Sequence, residues 1–331
     1  MIIDSHAHAF HGKYLESVSD IGGNWFKEKI AGLARIKPQI FDINLRLEWL
    51  ERNGIDRQVV TIHHALDSNL FPADSTVQLK LARSINDNMA HILEDTRGKM
   101  IPIASVPIIG FESGGILEME RAIVNLGLKG VSLPSNLNGK SLDSPELEPF
   151  WAKASEMKIP VFIHHNDPAG YAGRSYEADY NLMISLGWPF DTMLALCRIV
   201  FSGILDRYPG LKIVSHMGGG LPFYWGRLNE TYHPEAQLRT IGRKLPKPLL
   251  DYFSQFYYDT AIGGNAAAIK CMCDVFGTSQ VTFATDAPWG PGTGEFRLQE
   301  YINVIKSLAL SDEDKNKILG GNALRVININ N

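Results

Sequence analysis

The chain of 331 residues contains little cysteine, carries little net charge and lacks a long uninterrupted apolar run. Its three cysteines, Cys197, Cys271 and Cys273, are too few for a disulfide framework. We therefore expect buried thiols in a reducing compartment, which predicts a cytoplasmic protein. The formal net charge of −4 comes without a cluster of lysines and arginines, so the sequence does not indicate a nucleic-acid partner.

Membrane and export signals are also missing. No stretch of about 18 consecutive apolar residues predicts a membrane-spanning helix. The first predicted strand begins at residue 2, which leaves no room for a signal peptide. We therefore expect a soluble protein without a membrane partner.

A glycine-rich loop after the first strand is missing as well, which argues against a nucleotide-binding doubly wound sheet. The glycine run at residues 218–220 instead follows the sixth predicted strand, directly after His216. We expect this run to let the backbone pass close to a metal site.

Strand and helix patterns alternate along the chain, with eight predicted strands that are each followed by a helix. This order predicts a (β/α)8 TIM barrel, with an open doubly wound sheet as the alternative. A single barrel with insertions needs about 250 to over 400 residues. We predict one domain over residues 1–331, with insertions after strands 1 and 5, near residues 10–40 and 168–187. The helix after the second insertion is predicted over residues 189–208, and the last helix over residues 312–319.

Side chains that can bind a metal ion follow several of these strands. His6 and His8 end strand 1 on the same face, because side chains alternate along a strand. Three later apolar runs lead into His164, His216 and Asp286. All strands of a parallel barrel end at one rim, so these residues are predicted to converge there. The alternative gives each residue a separate structural role, such as capping a turn, but four strand ends with the same polarity favour a metal site.

Three longer stretches, together with this ligand pattern, resemble a known family. They are residues 187–192, residues 203–219 and residues 283–288. The ligand pattern is similar to that of the amidohydrolase superfamily of metal-dependent barrels. The longer stretches resemble its amidohydrolase-related branch, which includes aminocarboxymuconate-semialdehyde decarboxylase and the resorcylate-type decarboxylases. The resemblance covers essentially the whole chain.

The resemblance implies a single divalent metal ion held by His6, His8, His164 and Asp286, with His216 beside it. Three imidazoles and one carboxylate suit Zn²⁺, with Mn²⁺ as a second possibility and one position open for water or substrate. Asp286 is then expected to bind the ion through one oxygen and exchange a proton through the other. His216 is expected to polarise a substrate oxygen or to move a proton.

A second metal ion is not expected. Binuclear members of the superfamily need a bridging modified lysine where strand 4 ends, and here that strand ends in Leu133 and Pro134. Lys129 lies at the opposite end of the strand, about 13 Å away at roughly 3.3 Å per residue.

Two arginines are candidates for binding a substrate carboxylate. Arg227 matches an arginine that, in the decarboxylase branch, reaches the substrate of a neighbouring subunit, which implies a homodimer. Its alternative role is a surface ion pair with Glu230. Arg46 resembles a second carboxylate-binding arginine, although Glu48 departs from the family pattern, and its alternative is a salt bridge on a solvated helix face.

The remaining candidates are aromatic or histidine side chains near the ligand-bearing rim. Trp188 and Trp289 are candidates for stacking on a planar substrate, or else for packing in the core or at the rim. His165, with His63 and His64, is a candidate for lining the pocket, or else for capping turns.

Two enzyme reactions and one non-catalytic role are compatible with these residues. The favoured function is non-oxidative decarboxylation of a small unsaturated or aromatic carboxylic acid, which makes the chain a carbon–carbon lyase. The alternative is hydrolysis or hydration, such as lactone or amide opening by a metal-bound water, since both reactions need a Lewis acid and a proton carrier. The family resemblance favours decarboxylation. A metal-binding regulatory or structural protein is the third possibility, and it fits less well, because structural zinc sites rarely assemble from distant barrel strands.

Overall fold

The computed structural model describes residues 1–11, 28, 31–62, 74–166, 179–290 and 295–328. Within these residues the chain forms eight parallel strands, and a short antiparallel hairpin follows the fourth. The parallel strands are β1 (Ile3–His8), β2 (Arg57–Thr61), β3 (Met100–Pro102 and Ala104–Ser105), β4 (Val131–Pro134), β5 (Pro160–His164), β6 (Lys212–Ser215), β7 (Tyr257–Asp259) and β8 (Val281–Thr282).

Each strand pairs in parallel with the next one along the chain, from β1 to β8. Hydrogen bonds also join the first and last strands: Ser5 N–H donates to the Phe283 carbonyl over 2.8 Å. Beyond β8, the Asp286 N–H donates to the His6 carbonyl over 3.0 Å, and Ala7 and Ala287 form a parallel bridge. The strand order is therefore that of the predicted TIM barrel. The hydrogen bonds between β1 and the segment that follows β8 bring the ends of these two strands together at one rim.

Helices follow the strands, and several begin at the polar caps that their sequences indicate. They are α1 (Ile43–Arg52), α2 (Ser75–Asp95), α3 (Gly115–Glu120), α4 (Glu148–Met157), α5 (Trp188–Phe201), α6 (Ile204–Arg207), α7 (Trp225–Thr231), α8 (Gln237–Thr240), α9 (Leu249–Phe253), α10 (Ala266–Phe276), α11 (Glu295–Ser307), α12 (Asp312–Asn316) and α13 (Asn322–Ile327). Asp42 and Asp74 cap α1 and α2 by accepting backbone N–H bonds. Ser311 caps α12 by accepting the Asp314 N–H.

The barrel interior is closed at the end opposite the rim by the last helix. Val326 and Ile327 of α13 pack on inward-facing side chains of the strands, including Val59, Phe162 and Val214. The sequence predicts that the final helix stops at residue 319, but helical structure continues through a π turn at Lys317–Gly321 into α13. Burial of the two apolar residues explains why the glycines of that turn do not end the helix.

One further expectation was wrong, and a glycine explains the difference. The helix predicted over residues 189–208 is broken into α5 and α6, because Gly203 adopts a left-handed φ of 84° between them. The glycine run at residues 218–220 opens a 3-10 helix that packs closely on neighbouring side chains, and its expected role beside a metal site stays a prediction. A Cβ on Gly218 would lie 1.9 Å from Ser215 Oγ, and Cβ atoms on the next two glycines would meet methionine sulfurs at 2.7 Å.

The two predicted insertions fall largely outside the described residues. Of the first, residues 31–36 are helical and a 3-10 turn spans Pro38–Ile40. Of the second, a π turn at Met183–Gly187 leads directly into α5. The segment Met183–Phe201 is long and apolar enough to cross a membrane by length and composition alone, although Asp191 and Arg198 interrupt its apolar residues. About a third of this segment is buried against the barrel, and its outer face carries exposed apolar side chains.

Candidate active site

Five side chains that the sequence singles out meet at the carboxyl ends of β1, β5 and β6 and just after β8. Nε2 of His8 lies 3.3 Å from Nε2 of His164 and 3.3 Å from Oδ1 of Asp286. The His6 and His216 rings stack with centroids 3.8 Å apart. The potential ligand atoms of His6, His8 and His164 lie within 4.8 Å of one another, as do those of His6, His216 and Asp286. This spacing allows one cation to be held between them.

Hydrogen bonds orient two of the histidines toward this centre. Nδ1 of His164 lies 2.8 Å from the His165 carbonyl, which only accepts, so Nδ1 carries the proton. Nδ1 of His8 lies 3.4 Å from Thr61 Oγ1. In His164 the Nε2 lone pair is then directed at the centre, as the outer partners of metal-binding histidines usually arrange. The Thr61 hydroxyl can either donate to His8 Nδ1 or accept from it.

Three buried atoms of the cluster have no hydrogen-bond partner among the described residues: His6 Nε2, His216 Nε2 and Asp286 Oδ1. Buried polar atoms without partners are costly and uncommon, so a group of them at one point indicates a ligand. A divalent cation at this point would satisfy His6 Nε2 and Asp286 Oδ1, and His216 Nε2 beside it stays available to carry a proton. The donor set of imidazoles and one carboxylate therefore fits a single bound metal ion.

The protonation states also suit a cation. Burial lowers the pKa of His6 well below its usual value, and the nearby imidazoles of His216 and His8 lower it further. The pKa of His164 is lowered in the same way, first by burial and then by neighbouring histidines. Both rings are therefore neutral near pH 7, which is the form that binds metal.

His216 is paired with Asp259, a residue that the sequence reasoning did not assign to the site. Nδ1 of His216 donates to Asp259 Oδ2 over 2.6 Å. Burial lowers the pKa of His216, but the carboxylates of Asp259, Asp286 and Asp4 outweigh it, so the pKa is raised overall. The sequence does contain one indication of this role, because Asp259 ends β7 at the same rim as the other strand-end residues.

Asp4 is a second carboxylate that the sequence reasoning missed. It is fully buried and accepts hydrogen bonds from Gln58 Nε2 over 2.7 Å and from Thr285 Oγ1 over 2.5 Å. Burial raises the pKa of Asp4 to about 6, against the opposing effect of these hydrogen bonds. The network joins β1, β2 and the segment after β8. It therefore holds the backbone that carries His6 and Asp286.

Arg46 is not on a solvated helix face, and this alternative for it was wrong. It is fully buried in α1, its Nη2 donates to the carbonyls of His8 and Ala287, and its guanidinium lies 5.4 Å from the Trp49 ring centroid. The helix turns this residue inward because Trp49 and Leu50, on the same side, enter the core. Arg46 thus links the His8 carbonyl to that of Ala287, the residue after Asp286, and so joins the backbone at two predicted ligands. Its role as a carboxylate-binding residue stays a prediction.

His165 and Trp188 form a stacked pair beside the ligands. Their rings lie 4.1 Å apart at an angle of 15°, and the His165 ring is 4.0 Å from that of His164. Trp289 lies farther away, with its ring 6.4 Å from His8 in an edge-on arrangement. The two candidates His63 and His64 fall outside the described residues.

Arg227 lies on α7, outside the buried ligand cluster. Its side chain is exposed, and within the described part of the chain it forms no ion pair with Glu230, so the proposed surface pair is absent there. Lys129 precedes β4, and that strand ends in Pro134, so no lysine occupies the bridging position of a binuclear centre.

Comparison with known proteins agrees with this geometry. The family model described as Amidohydrolase matches residues 3–329. The 2-amino-3-carboxymuconate-6-semialdehyde decarboxylase of Dictyostelium discoideum is 31% identical over 312 residues, covering 93% of this chain and 81% of that protein. A gamma-resorcylate decarboxylase of Polaromonas sp. is 25% identical, over 89% of this chain and 90% of that protein.

Solved structures share the fold over nearly the full length. The 5-carboxyvanillate decarboxylase of Sphingomonas paucimobilis matches with a TM-score of 0.83 and 23% identity, over 99% of both chains. The 5-carboxyvanillate decarboxylase of Novosphingobium aromaticivorans matches with a TM-score of 0.82 and 22% identity, over 99% of this chain and 96% of that one. Its structure contains manganese and 4-hydroxy-3-methoxy-5-nitrobenzoic acid. With the family model matched over almost every residue and a relative above 30% identity, the chain belongs to the amidohydrolase family.

Proposed function

We propose that the chain is a metal-dependent, non-oxidative decarboxylase of a small aromatic or otherwise unsaturated carboxylic acid. The observation that carries this proposal is the Asp286 carboxylate, whose Oδ1 is buried within 3.3 Å of His8 Nε2 and 3.7 Å of His216 Nε2. A carboxyl group in this position can deliver a proton to a substrate at the rim. The two relatives and the Sphingomonas paucimobilis structure described above are named as decarboxylases of such acids.

One divalent ion per chain is the proposed cofactor, held by His6, His8, His164 and Asp286. Its donor set suits Zn²⁺, which we retain as the first candidate. Mn²⁺ is the second candidate, because a solved relative holds manganese. When bound, the ion supplies Lewis-acid stabilisation of negative charge on the substrate carboxylate or on a neighbouring hydroxyl.

Asp286 is the proposed proton donor. Its protonated carboxyl group gives a proton to the carbon that bears the substrate carboxylate. The carbon–carbon bond then breaks, its electron pair returns to the unsaturated system, and carbon dioxide leaves. His216 is held in place by Asp259, with its Nε2 3.7 Å from Oδ1 of Asp286, and it passes a proton taken up from solvent to the Asp286 carboxylate after carbon dioxide leaves.

The stacked pair of His165 and Trp188 is the proposed wall for a planar substrate. Aromatic rings prefer offset or edge-to-face contact with other rings, and a flat, conjugated acid offers such a face. The half-buried Trp188 has one side covered by His165 at 4.1 Å, so substrate contact would come from its remaining edge and face.

We further propose that the chain works as a homodimer in which Arg227 reaches the partner's substrate. The support is an apolar surface beside this arginine, on the outer face of α5 and the turn that packs against it. Its exposed members are Ile184, Leu186, Phe190, Leu194, Phe223 and Tyr224. Contiguous exposed apolar side chains mark protein–protein contacts, and a two-fold partner on this surface covers them.

A substrate panel tests the reaction. Metal-loaded protein is incubated with aromatic acids, unsaturated acids and lactones, and the release of carbon dioxide and of acid is measured separately. Decarboxylation predicts carbon dioxide from at least one planar acid, and its loss on metal removal and in an Asp286→Asn variant. Acid release from lactones or amides without carbon dioxide would instead support the hydrolase alternative and contradict the proposal.

A further inference from the structure

Asp191, in the first turn of α5, is a buried carboxylate. It accepts hydrogen bonds from two residues that follow β4, and these two residues in turn contact the segment that follows β5. Ser135 Oγ donates a hydrogen bond to its Oδ2, and Asn136 Nδ2 donates to the same oxygen over 2.9 Å. Burial raises the pKa of Asp191, against the opposing effect of these two bonds. The carboxylate is therefore a fixed acceptor between the helix and two strand ends.

Ser135 connects Asp191 to the predicted ligand His164. Its backbone N–H donates to the His164 carbonyl over 2.7 Å, and its Oγ accepts from the Asn166 N–H over 2.9 Å. These bonds hold the backbone on both sides of His165. The carbonyl of His165 is the group that accepts the Nδ1 proton of His164. The tautomer of His164 thus depends on a peptide that Ser135 and Asp191 hold in place.

The same carboxylate also fixes the aromatic wall. Trp188 lies one turn before Asp191 on α5 and stacks on His165 at 4.1 Å. Asn166 Nδ2 donates to the Asn136 carbonyl over 3.1 Å, which closes a ring of hydrogen bonds around Asp191. Movement of this carboxylate therefore displaces the helix start and the peptide after β5 together.

We propose that Asp191 is a positioning residue that sets the orientation of His164 for metal binding and of the His165–Trp188 pair for substrate binding. This inference rests on the metal site of the proposed function. The competing role is a purely mechanical one, in which Asp191 only anchors α5 to the barrel.

The chain offers a matched control for that competing role. Arg198, farther along α5, forms a two-pronged ion pair with Asp143, with distances of 2.7 and 3.0 Å. This pair anchors the same helix, but it makes no contact with the peptide after β5. An Asp143→Ala variant therefore loosens α5 without changing the acceptor at Asp191.

The test compares Asp191→Ala, Asp191→Asn, Ser135→Ala and Asp143→Ala as full-length, folded proteins. Loss of a group that orients a metal ligand typically lowers metal affinity about 10- to 100-fold, which we expect for Asp191→Ala and Ser135→Ala. Asp191→Asn keeps an oxygen that can accept both bonds and is expected to retain most of the affinity. Asp143→Ala is expected to match the wild type in metal affinity, kcat and KM.

A second readout needs no metal. In metal-free protein, nitrogen-15 NMR of the His164 imidazole is expected to show a protected Nδ1 proton in the wild type and in Asp143→Ala, and its loss in Asp191→Ala and Ser135→Ala. Wild-type metal affinity and an intact Nδ1 signal in these last two variants would overturn the inference, as would an equal loss in Asp143→Ala. If Asp191→Ala does not fold, Ser135→Ala decides the question. A wild-type chain that binds no metal would refute the proposed function, and the NMR comparison would still decide the role of Asp191.

Discussion

Nδ1 of His216 lies 2.6 Å from Oδ2 of Asp259, and both side chains are almost completely buried at the rim of the barrel. The second Asp259 oxygen accepts the N–H groups of Met217 and Ala261, each over 3.2 Å. The carboxylate is thus held by three donors, and its negative charge faces the ring that points toward Asp286. This arrangement keeps the proton on Nδ1 and leaves Nε2 to face the site.

We expect Asp259→Asn to reduce kcat by about 100-fold or more, because it removes the charge that favours a protonated His216. Since that charge raises the pKa of His216, its removal lowers the pKa. The limb of the pH profile of kcat/KM that reports His216 should then move to lower pH. Asp251→Asn, at an exposed position on α9, is the control and should leave the profile unchanged. An unaltered profile in Asp259→Asn would show that His216 does not carry the proton.

Asp286→Asn is expected to lower activity by about 10²- to 10⁴-fold while the fold survives. Asparagine has nearly the same size, but its amide cannot deliver the proton, and general acid–base steps contribute rate factors of this order. Because the same side chain is a predicted ligand, the variant and the wild type are compared at saturating metal. Turnover near the wild-type rate would rule out Asp286 as the proton donor and leave His216 as the next candidate.

Much of this site follows from sequence because the polarity of a parallel barrel is simple. Once β1, β5, β6 and the segment after β8 are recognised, His6, His8, His164, His216 and Asp286 all fall at one rim. The family and fold predicted from these residues are confirmed by the family model and by the solved structures. The function of each ligand stays a prediction.

The missed residues act through partners that are distant in sequence. Asp259 is 43 positions from His216, and Asp4 is 281 positions from Thr285, so neither pairing has a local signature. The solvated face is predicted for Arg46 because a charged residue on a helix usually points outward. Its substrate-binding role is implied by the family resemblance instead. The packing of α1 on the barrel determines which face of the helix enters the core. The apolar pattern of this short helix is too weak to predict that face from the sequence.

Arg46→Ala is expected to lower the free energy of unfolding by about 2–5 kcal/mol, since two buried carbonyls lose their donor and a cavity is left behind. Chemical denaturation of the metal-free protein measures this change. Glu48→Ala, at an exposed position on the same helix, should change stability by less than about 0.5 kcal/mol. Unchanged stability in Arg46→Ala together with a raised KM would show instead that this arginine contacts the substrate.

Purified protein is expected to contain one divalent metal ion per chain, because the three groups of potential ligand atoms at the described rim share residues with one another and so surround one centre. Elemental analysis gives both the stoichiometry and the choice between zinc and manganese. A His6→Ala, His8→Ala double variant should lose the metal, whereas His233→Ala, at an exposed position on the surface, should retain it. Two ions per chain, or full occupancy in the double variant, would contradict the predicted site.

The homodimer prediction is tested by mixing two inactive chains, Arg227→Ala and Asp286→Asn. If Arg227 crosses a two-fold interface, each site needs this arginine from one chain and Asp286 from the other. Random re-pairing of equal amounts makes half of the dimers mixed, and one of the two sites in each mixed dimer is intact. Activity should therefore recover to about a quarter of the wild-type value.

The apolar surface beside Arg227 provides the matched control for this experiment. Phe223 is 81% exposed, so Phe223→Asp should weaken the dimer without touching the ligands, and sedimentation should show more monomer. In that background the two inactive chains should no longer rescue each other, because re-pairing fails. A fully active wild-type monomer, or two inactive chains that never rescue one another after confirmed subunit exchange, would refute the shared site.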